Sequence, residues 1–358
     1  MNTRARGYTI VELLVAVTLG LLILAGVLQV FINSKQGYQV QQSVGRAQEN
    51  TRFAVEYLSR YILVADFWSG VDAGAPHGGL KYIASGTPSS GTTCASNLAV
   101  NNWVVSLNDG IHGYAGASSA SSLTDPPKSC VGSNYVPNSD VLVVRFANPD
   151  AFTQTQCLTL SGTSSACPNG SPATAGIGGY WVRSQVGARA DIFNSGSTTS
   201  VNAAIADLPG EYSDGVLNYQ YQTVVFFLQN VDNGEGAVPT LTMLSVNGSS
   251  MVQQPIVDGV EMLKFEYGVD TNSDLSVDQY LPAGSVTNWS QVLSVRFSMI
   301  VRGDTLDNYT DSQSYQMTDT FCYGPSTSSS CSGASYAGST SYQRRLIVRE
   351  VQLRNRVR

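Results

Sequence analysis

The stretch that most limits what this chain can become is Gly7-Tyr8-Thr9-Ile10-Val11-Glu12, with the apolar run that follows it to Ile32. About 25 residues, Tyr8 to Ile32, suffice to cross a bilayer as one helix at about 1.5 Å of rise per residue. A basic leader, Met1 to Gly7 with Arg4 and Arg6, precedes the run. Positive charge there keeps the N-terminus cytoplasmic and sends the bulk of the chain outward. A secretory signal is cut after its apolar core. Here the only suitable small residue, Gly7, stands before the run, so the run stays on the mature protein. Glu12 is out of place. A carboxylate in a spanning helix costs on the order of a few kcal/mol at depth and calls for a partner.

Beyond Ile32, Val40, Val44, Ala47, Thr51, Val55, Leu58, Ile62 and Ala65 recur at steps of three and four, a helical stripe. No proline occurs before Pro76, and Gly20, Gly26, Gly37 and Gly45 are soft points where the helix can bend. A continuous helix from Tyr8 to Ala65 would be roughly 85 Å long. From Asp66 the pattern changes to Val-, Phe- and Tyr-rich runs between polar turns. The expected strands are Leu98–Leu107, Val141–Ala147, Tyr180–Arg183, Tyr219–Leu228, Leu241–Val246, Val260–Val269, Val292–Arg302 and Arg345–Leu353. Asn230 to Pro239 reads as a hairpin turn. The expected architecture is α+β, a long N-terminal helix against largely antiparallel sheet.

Only 13% of the 358 residues are charged, and the net charge is −6. Without Arg4 and Arg6, 18 basic residues stand against 26 acidic ones, −8 for the chain after its leader. Such a chain is a poor general nucleic-acid binder, because phosphate contacts need clustered Lys and Arg. All six cysteines lie beyond the apolar segment, and in an exported domain an even set reads as disulfides. Sequence leaves the pairing open; proximity favours Cys157 with Cys167 and Cys322 with Cys331, leaving Cys94 with Cys130. Three low-complexity stretches, Ser85–Ser96, Ala115–Asn134 and Gly324–Ser341, read as long exposed loops stapled by these bridges.

One constellation has the spacing of a metal loop. Asp270, Asn272, Asp274 and Asp278 stand at positions 1, 3, 5 and 9, with the Ser276 carbonyl at position 7, a donor set that suits Ca2+. Against it, Leu275 replaces the turn glycine and Leu281 the closing glutamate, and an Asx-rich turn explains the same residues without an ion. No other cofactor is expected. Catalysis has little support: His77 and His112 lie in Gly-rich loops with no nucleophile motif, and Gly176-Ile177-Gly178-Gly179 is not a phosphate loop. Arg302-Gly303-Asp304 is an RGD tripeptide at a strand end, where a turn is the plainer reading. Arg344, Arg345, Arg349, Arg354, Arg356 and Arg358 make a basic C-terminal segment that suggests either a DNA contact or arginines flanking an edge strand.

Gly7-Tyr8-Thr9-Ile10-Val11-Glu12-Leu13-Leu14 closely resembles the processing site of type IV pilins and type II secretion pseudopilins. The resemblance implies cleavage by a prepilin peptidase between Gly7 and Tyr8, and N-methylation of Tyr8. It also implies that Glu12 pairs with a neighbouring subunit's terminal amine during assembly. Tyr8 stands where the family usually has phenylalanine. Further segments resemble the PilW family of minor pilins, relatives of pseudopilin J. They are Gln48–Val55 with Leu58, Ser139–Phe146, the stretch from Pro255 to Arg302, and Leu353-Arg354-Asn355-Arg356. Together they span about half the chain. Ala65–Gly70 departs from the family's more usual Gly-Tyr-x-Gly-Cys.

The resemblance implies a prepilin leader over 1–7, a transmembrane and filament-core helix over 8–32, its amphipathic continuation over 33–66, and a β-rich periplasmic or extracellular domain over 67–358. It further implies a minor-pilin complex that primes pilus assembly and sits at or near the tip beneath a tip adhesin. The partners are other minor pilins, the major pilin, the prepilin peptidase and the inner-membrane assembly platform. The chain would sit in the inner membrane of a Gram-negative bacterium, then in the pilus. The alternatives are a J-like pseudopilin serving secretion and a surface adhesion module.

Overall fold

A computed structural model describes residues 9–68, 80–82, 104, 110–123, 128–149, 180–185, 189–194, 215–232, 234, 236–247, 250–304, 310–325, 333–336 and 338–356. Helix α1, Ile10–Val64, is unbroken over 55 residues and about 82 Å long. It runs straight through Gly20, Gly26, Gly37 and Gly45, and nothing stands within 4 Å of where their Cβ atoms would be. Its buried line is Ser43, Ala54, Leu58 and Ile62. Val40, Val44, Ala47, Thr51 and Val55 of the expected stripe flank that line half-buried.

The largest sheet has the spatial order β1 (Leu80–Tyr82), β5 (Arg189–Asn194), β4 (Tyr180–Gln185), β6 (Val216–Asp232), β3 (Val141–Ala147) and β2 (Ile111–Tyr114). On it, β7 (Ala237–Asn247) pairs with β6, and β8 (Ser250–Asp258) pairs with β7. A second, antiparallel sheet runs β10 (Gln279–Pro282), β9 (Val260–Val269), β11 (Val292–Arg302), β15 (Arg344–Gln352). A small third sheet joins β12 (Tyr315–Gln316), β13 (Cys322–Gly324) and β14 (Ala334–Ser335). Only β1–β5 and β13–β14 are parallel pairs among the described strands.

Strand β6 organises the large sheet because it is apolar on both faces. Val224, Phe226 and Leu228 point into one core, and Tyr221, Val225 and Phe227 into another. The first core also takes Leu58 and Ile62 of α1 and Phe265, Tyr267, Val295 and Phe297 of β9 and β11, so helix and both large sheets share it. Tyr61 sits 5.2 Å from Tyr57 and 5.3 Å from Phe226, ring centre to ring centre. Burying such rings is worth about 1.5–3 kcal/mol each, and this fixes the helix on the sheet.

Expected strands coincide with β3, β9 and β11, fall inside β4, β6 and β7, and miss β15 by one residue at each end. The β6–β7 ladder extends to Asp232 opposite Ala237, so the turn is shorter than Asn230–Pro239. Strands β2, β5 and β8 were not legible. Leu98–Leu107 lies outside the described residues apart from Val104. Ala115–Asn134 is not merely an exposed loop: Leu123, Cys130 and Val131 are buried, the last two on the short helix α2 (Lys128–Val131). Cys130 and Cys322 are buried and disulfide-bonded. Cys94, Cys157, Cys167 and Cys331 fall outside the described residues, and the pairings with them.

Candidate functional site

Every residue of α1 from Ile10 to Ile32 is exposed, with Ile10 at 82% and Leu22 at 70%. Covering each large apolar side chain is worth about 1.5–3 kcal/mol. More than a dozen of them left in water outweigh the roughly 5–15 kcal/mol that holds a typical domain folded. This half of the helix requires apolar surroundings, a bilayer or other helices. Gly7 and Tyr8 lie outside the described residues. Glu12 sits in a capping box: its backbone N–H donates to Thr9 Oγ1 at 3.3 Å, and its Oε2 accepts from Thr9 N–H at 3.1 Å. Two orphan donors of the first turn are thereby satisfied. Thr9 was missed as a functional residue, although the spacing Thr-x-x-Glu signals it in the sequence.

The other half of α1 is bolted to the domain at two places. At the first, the Asp304 N–H donates to Ser43 Oγ (3.0 Å), Asp304 pairs with Arg46 (2.5 Å), and Asn50 Nδ2 donates to the Asp258 carbonyl (3.1 Å). Arg302 lies 3.8 Å from Glu261 and stacks on Tyr342. A Cβ on Gly303 would come within 2.4 Å of Ser43 Oγ. The RGD tripeptide therefore faces the chain's own helix at the end of β11.

The second bolt closes the C-terminal end of α1. Asp66 turns the chain with φ 62°, a left-handed conformation that few residues other than glycine adopt. Its Oδ1 accepts from Trp68 Nε1 (2.8 Å), and its Oδ2 pairs with Arg356 (2.6 Å). Arg356 also donates to the carbonyls of Val292 and Trp289, and Asn355 Nδ2 donates to Ala65 O (2.9 Å). The last residues of the chain thus satisfy an end of a helix that closes 290 positions earlier.

Buried charges brace the second sheet. Arg344 holds Glu261 with two contacts, 2.5 and 3.0 Å, both side chains fully buried. Lys264 pairs with Asp140 at 2.5 Å, tying β9 to the start of β3. Burial holds the Asp140 carboxyl above its usual range, against the pull of Lys264 and the N–H groups of Phe265 and Gly116. The C-terminal arginines divide accordingly: Arg344 and Arg356 are internal struts, whereas Arg345, Arg349 and Arg354 are exposed on or beside the edge strand β15. Arg358 lies outside the described residues.

The acidic loop has the geometry of a carboxylate-capped turn. Asp270 Oδ1 accepts from the N–H groups of Asn272, Ser273 and Asp274, and Oδ2 from that of Leu275 (2.9 Å). Asp274 Oδ1 accepts from Ser276 N–H and Oγ–H, and Asp278 Oδ2 from Thr271 N–H and Oγ–H. These bonds, foremost those from the Ser276 and Thr271 side chains, lower the carboxyls of Asp274 and Asp278 below their usual range. Leu275 takes the place of a turn glycine in conformation as well, at φ 65°. Among the described residues no three ionisable side chains converge as metal ligands. His112 packs between the rings of Tyr114 (4.7 Å) and Trp289 (4.3 Å), and His77 lies outside the described residues.

Residues 2–28 match the prokaryotic N-terminal methylation motif, and residues 225–355 match the family of type IV pilus-assembly protein W. The second match spans the second sheet, the acidic loop and the clamp at Asn355. Among solved structures, a type IV-like pilin from Thermus thermophilus is similar at 11% identity, over 70% of this chain and 86% of its own. Its TM-score of 0.27 is too low to carry an argument. No curated protein matches the chain.

Proposed function

The chain is a type IV pilus minor pilin of the PilW family, anchored in the inner membrane and then built into the pilus, and from that premise we propose that it primes filament assembly and stays at or near the tip, supporting a tip adhesin. The observation that carries the reading is the wholly exposed apolar half of α1, locked at its other end to the β domain. Leaving the bilayer for a filament of similar helices exchanges one apolar setting for another, so the hydrophobic effect nearly cancels between the two. What does not cancel is Glu12. Its charge is stabilised when it leaves Thr9 and meets the terminal amine of a neighbouring subunit. The steps in order are cleavage between Gly7 and Tyr8 by a prepilin peptidase, N-methylation of Tyr8, and entry into a filament nucleus. That nucleus forms with other minor pilins and the major pilin on the inner-membrane assembly platform. The protein works by packing, not by catalysis.

Two substitutions test the role of Glu12. Glu12→Gln keeps the reach of the capping box but not the charge, and Glu12→Val removes both. Both variants are expected to be cleaved normally, yet to fail to restore surface pili and twitching to a deletion strain. Restoration by Gln would reduce Glu12 to a helix cap and overturn the charge-pairing role. Normal pili in the deletion strain, with a failure to secrete exoproteins, would move the chain to the pseudopilin reading.

A further inference from the structure

Between the outer flank of α1 and β15 lies an open cavity of about 840 Å³. Its rim carries Arg52 and Arg60 from the helix and Arg349 and Arg354 from the C-terminal segment, against one carboxylate, Glu56. In a chain whose net charge is −6, this is a concentration of positive charge. Arg349 and Arg354 have no carboxylate partner among the described residues, and the carboxylate nearest Arg52 is Glu49 at 3.8 Å on the exposed surface. The floor is apolar, with Leu63, Val64 and Phe67. Against it sits Ser59 Oγ, a buried hydroxyl without a hydrogen-bond partner. Such an orphan is costly until something supplies a donor or acceptor.

Strand β15 ends its sheet, paired with β11 on one side and with no strand on the other among the described residues. Val348, Arg349, Glu350 and Gln352 are exposed along it. Arginines on an edge repel basic strands and leave acidic ones as the fitting partners. We propose that this groove docks an extended, acid-rich segment of another protein chain, which adds beside β15 as a further strand. Alternate side chains would face the arginines and the apolar floor. The occupant is not a lipid headgroup of the anchoring bilayer, since Ser59 lies about 40 Å along the helix from Ile32. The apolar floor between the charges favours a peptide over a nucleic-acid backbone.

The test uses full-length protein in detergent micelles and a fluorescein-labelled peptide of five Glu-Val repeats, read by anisotropy. The expected result is saturable binding, at least about tenfold tighter than for five Lys-Val repeats. The pair Arg349→Glu and Arg354→Glu should weaken it about tenfold or more with the thermal melt unchanged. Arg345→Glu, on the same strand but outside the groove, should leave binding as it was. Equal affinity for both peptides, or indifference to the charge reversal, overturns the proposal. So does single-stranded oligo-dT that binds more tightly than the peptide and is lost with the same pair, because the groove would then be a nucleic-acid site.

Discussion

Replacing Arg356 by alanine tests whether the clamp at the end of α1 holds the helix to its domain. Asp66 is 4% exposed, so deleting its cation leaves a carboxylate buried and uncompensated. Breaking a buried pair from one side costs about 3–5 kcal/mol. The Val292 and Trp289 carbonyls lose a donor as well, while Trp68 Nε1 continues to hold Asp66 Oδ1. Water entering the vacated space offsets part of that second loss. The sum is about 4 kcal/mol, against a typical net stability of roughly 5–15 kcal/mol. For a chain of this size that lowers the melting temperature by roughly 5 °C.

The double variant Asp66→Asn with Arg356→Met removes both charges together. Asparagine still tolerates the left-handed turn at position 66, and methionine keeps much of the packed volume. It is expected to recover at least half of the loss, so the two changes are strongly non-additive. The assay is thermal and urea unfolding of the full chain in detergent micelles. A drop below about 2 °C for Arg356→Ala, or a double variant as unstable as the sum of its singles, would refute the reasoning.

Three further perturbations are read in the same assays, and a fourth by hydrogen exchange. Tyr267 is fully buried with its hydroxyl unpartnered, so Tyr267→Phe should be neutral or stabilising by up to about 1 kcal/mol; a loss of more than that would reveal a partner for the hydroxyl. Leu275→Gly should stabilise by about 1 kcal/mol, because it relieves the positive φ of an exposed residue, and a clear loss would count against that strain. Millimolar Ca2+ should leave the melt unchanged, since the Asp270 oxygens already accept four N–H groups, whereas a rise beyond about 2 °C would assign the loop to a cation. On acidification the loop should open. Asp274 and Asp278 have lowered folded values, so their contribution is complete above the unfolded value of about 3.9 and fades as pH falls through the lower folded ones. Loss of hydrogen-exchange protection at Thr271 and Ser276 only above that range would contradict the sign.

What was legible in the sequence was whatever a local pattern decides. The apolar run and the three-four stripe define α1, and strands buried on both faces, such as Val141–Ala147, stand out as unbroken Val-rich text. Strand β8 was hidden because Gln253, Gln254 and Pro255 are exposed on a sheet edge, where neither alternation nor hydrophobicity is required. The stripe on α1 drifted from its expected line because Ser43 is buried by a tertiary contact with Asp304, not by its own apolarity. The sequence leaves the acidic loop open between an ion site and an Asx-rich turn, and what no local pattern reveals is the direction of its hydrogen bonds, with backbone N–H groups aimed at the Asp270 carboxylate.

The clamp shows why the rest was out of reach. A helix end is usually announced by a nearby glycine or asparagine, and Ala65-Asp66 offers neither. The ending here depends on Asn355 and Arg356, whose text reads as a plain basic tail, and on Asp66 holding a strained φ that the pair stabilises. The same arginine-rich segment contributes two internal struts and two rim charges of a groove, and composition cannot separate those roles. The division follows burial alone. Arg344 and Arg356 meet carboxylates that have lost their water, so each pair must be matched in charge and geometry. Arg349 and Arg354 remain hydrated, give little to stability, and are free to be selected for what they meet outside the chain.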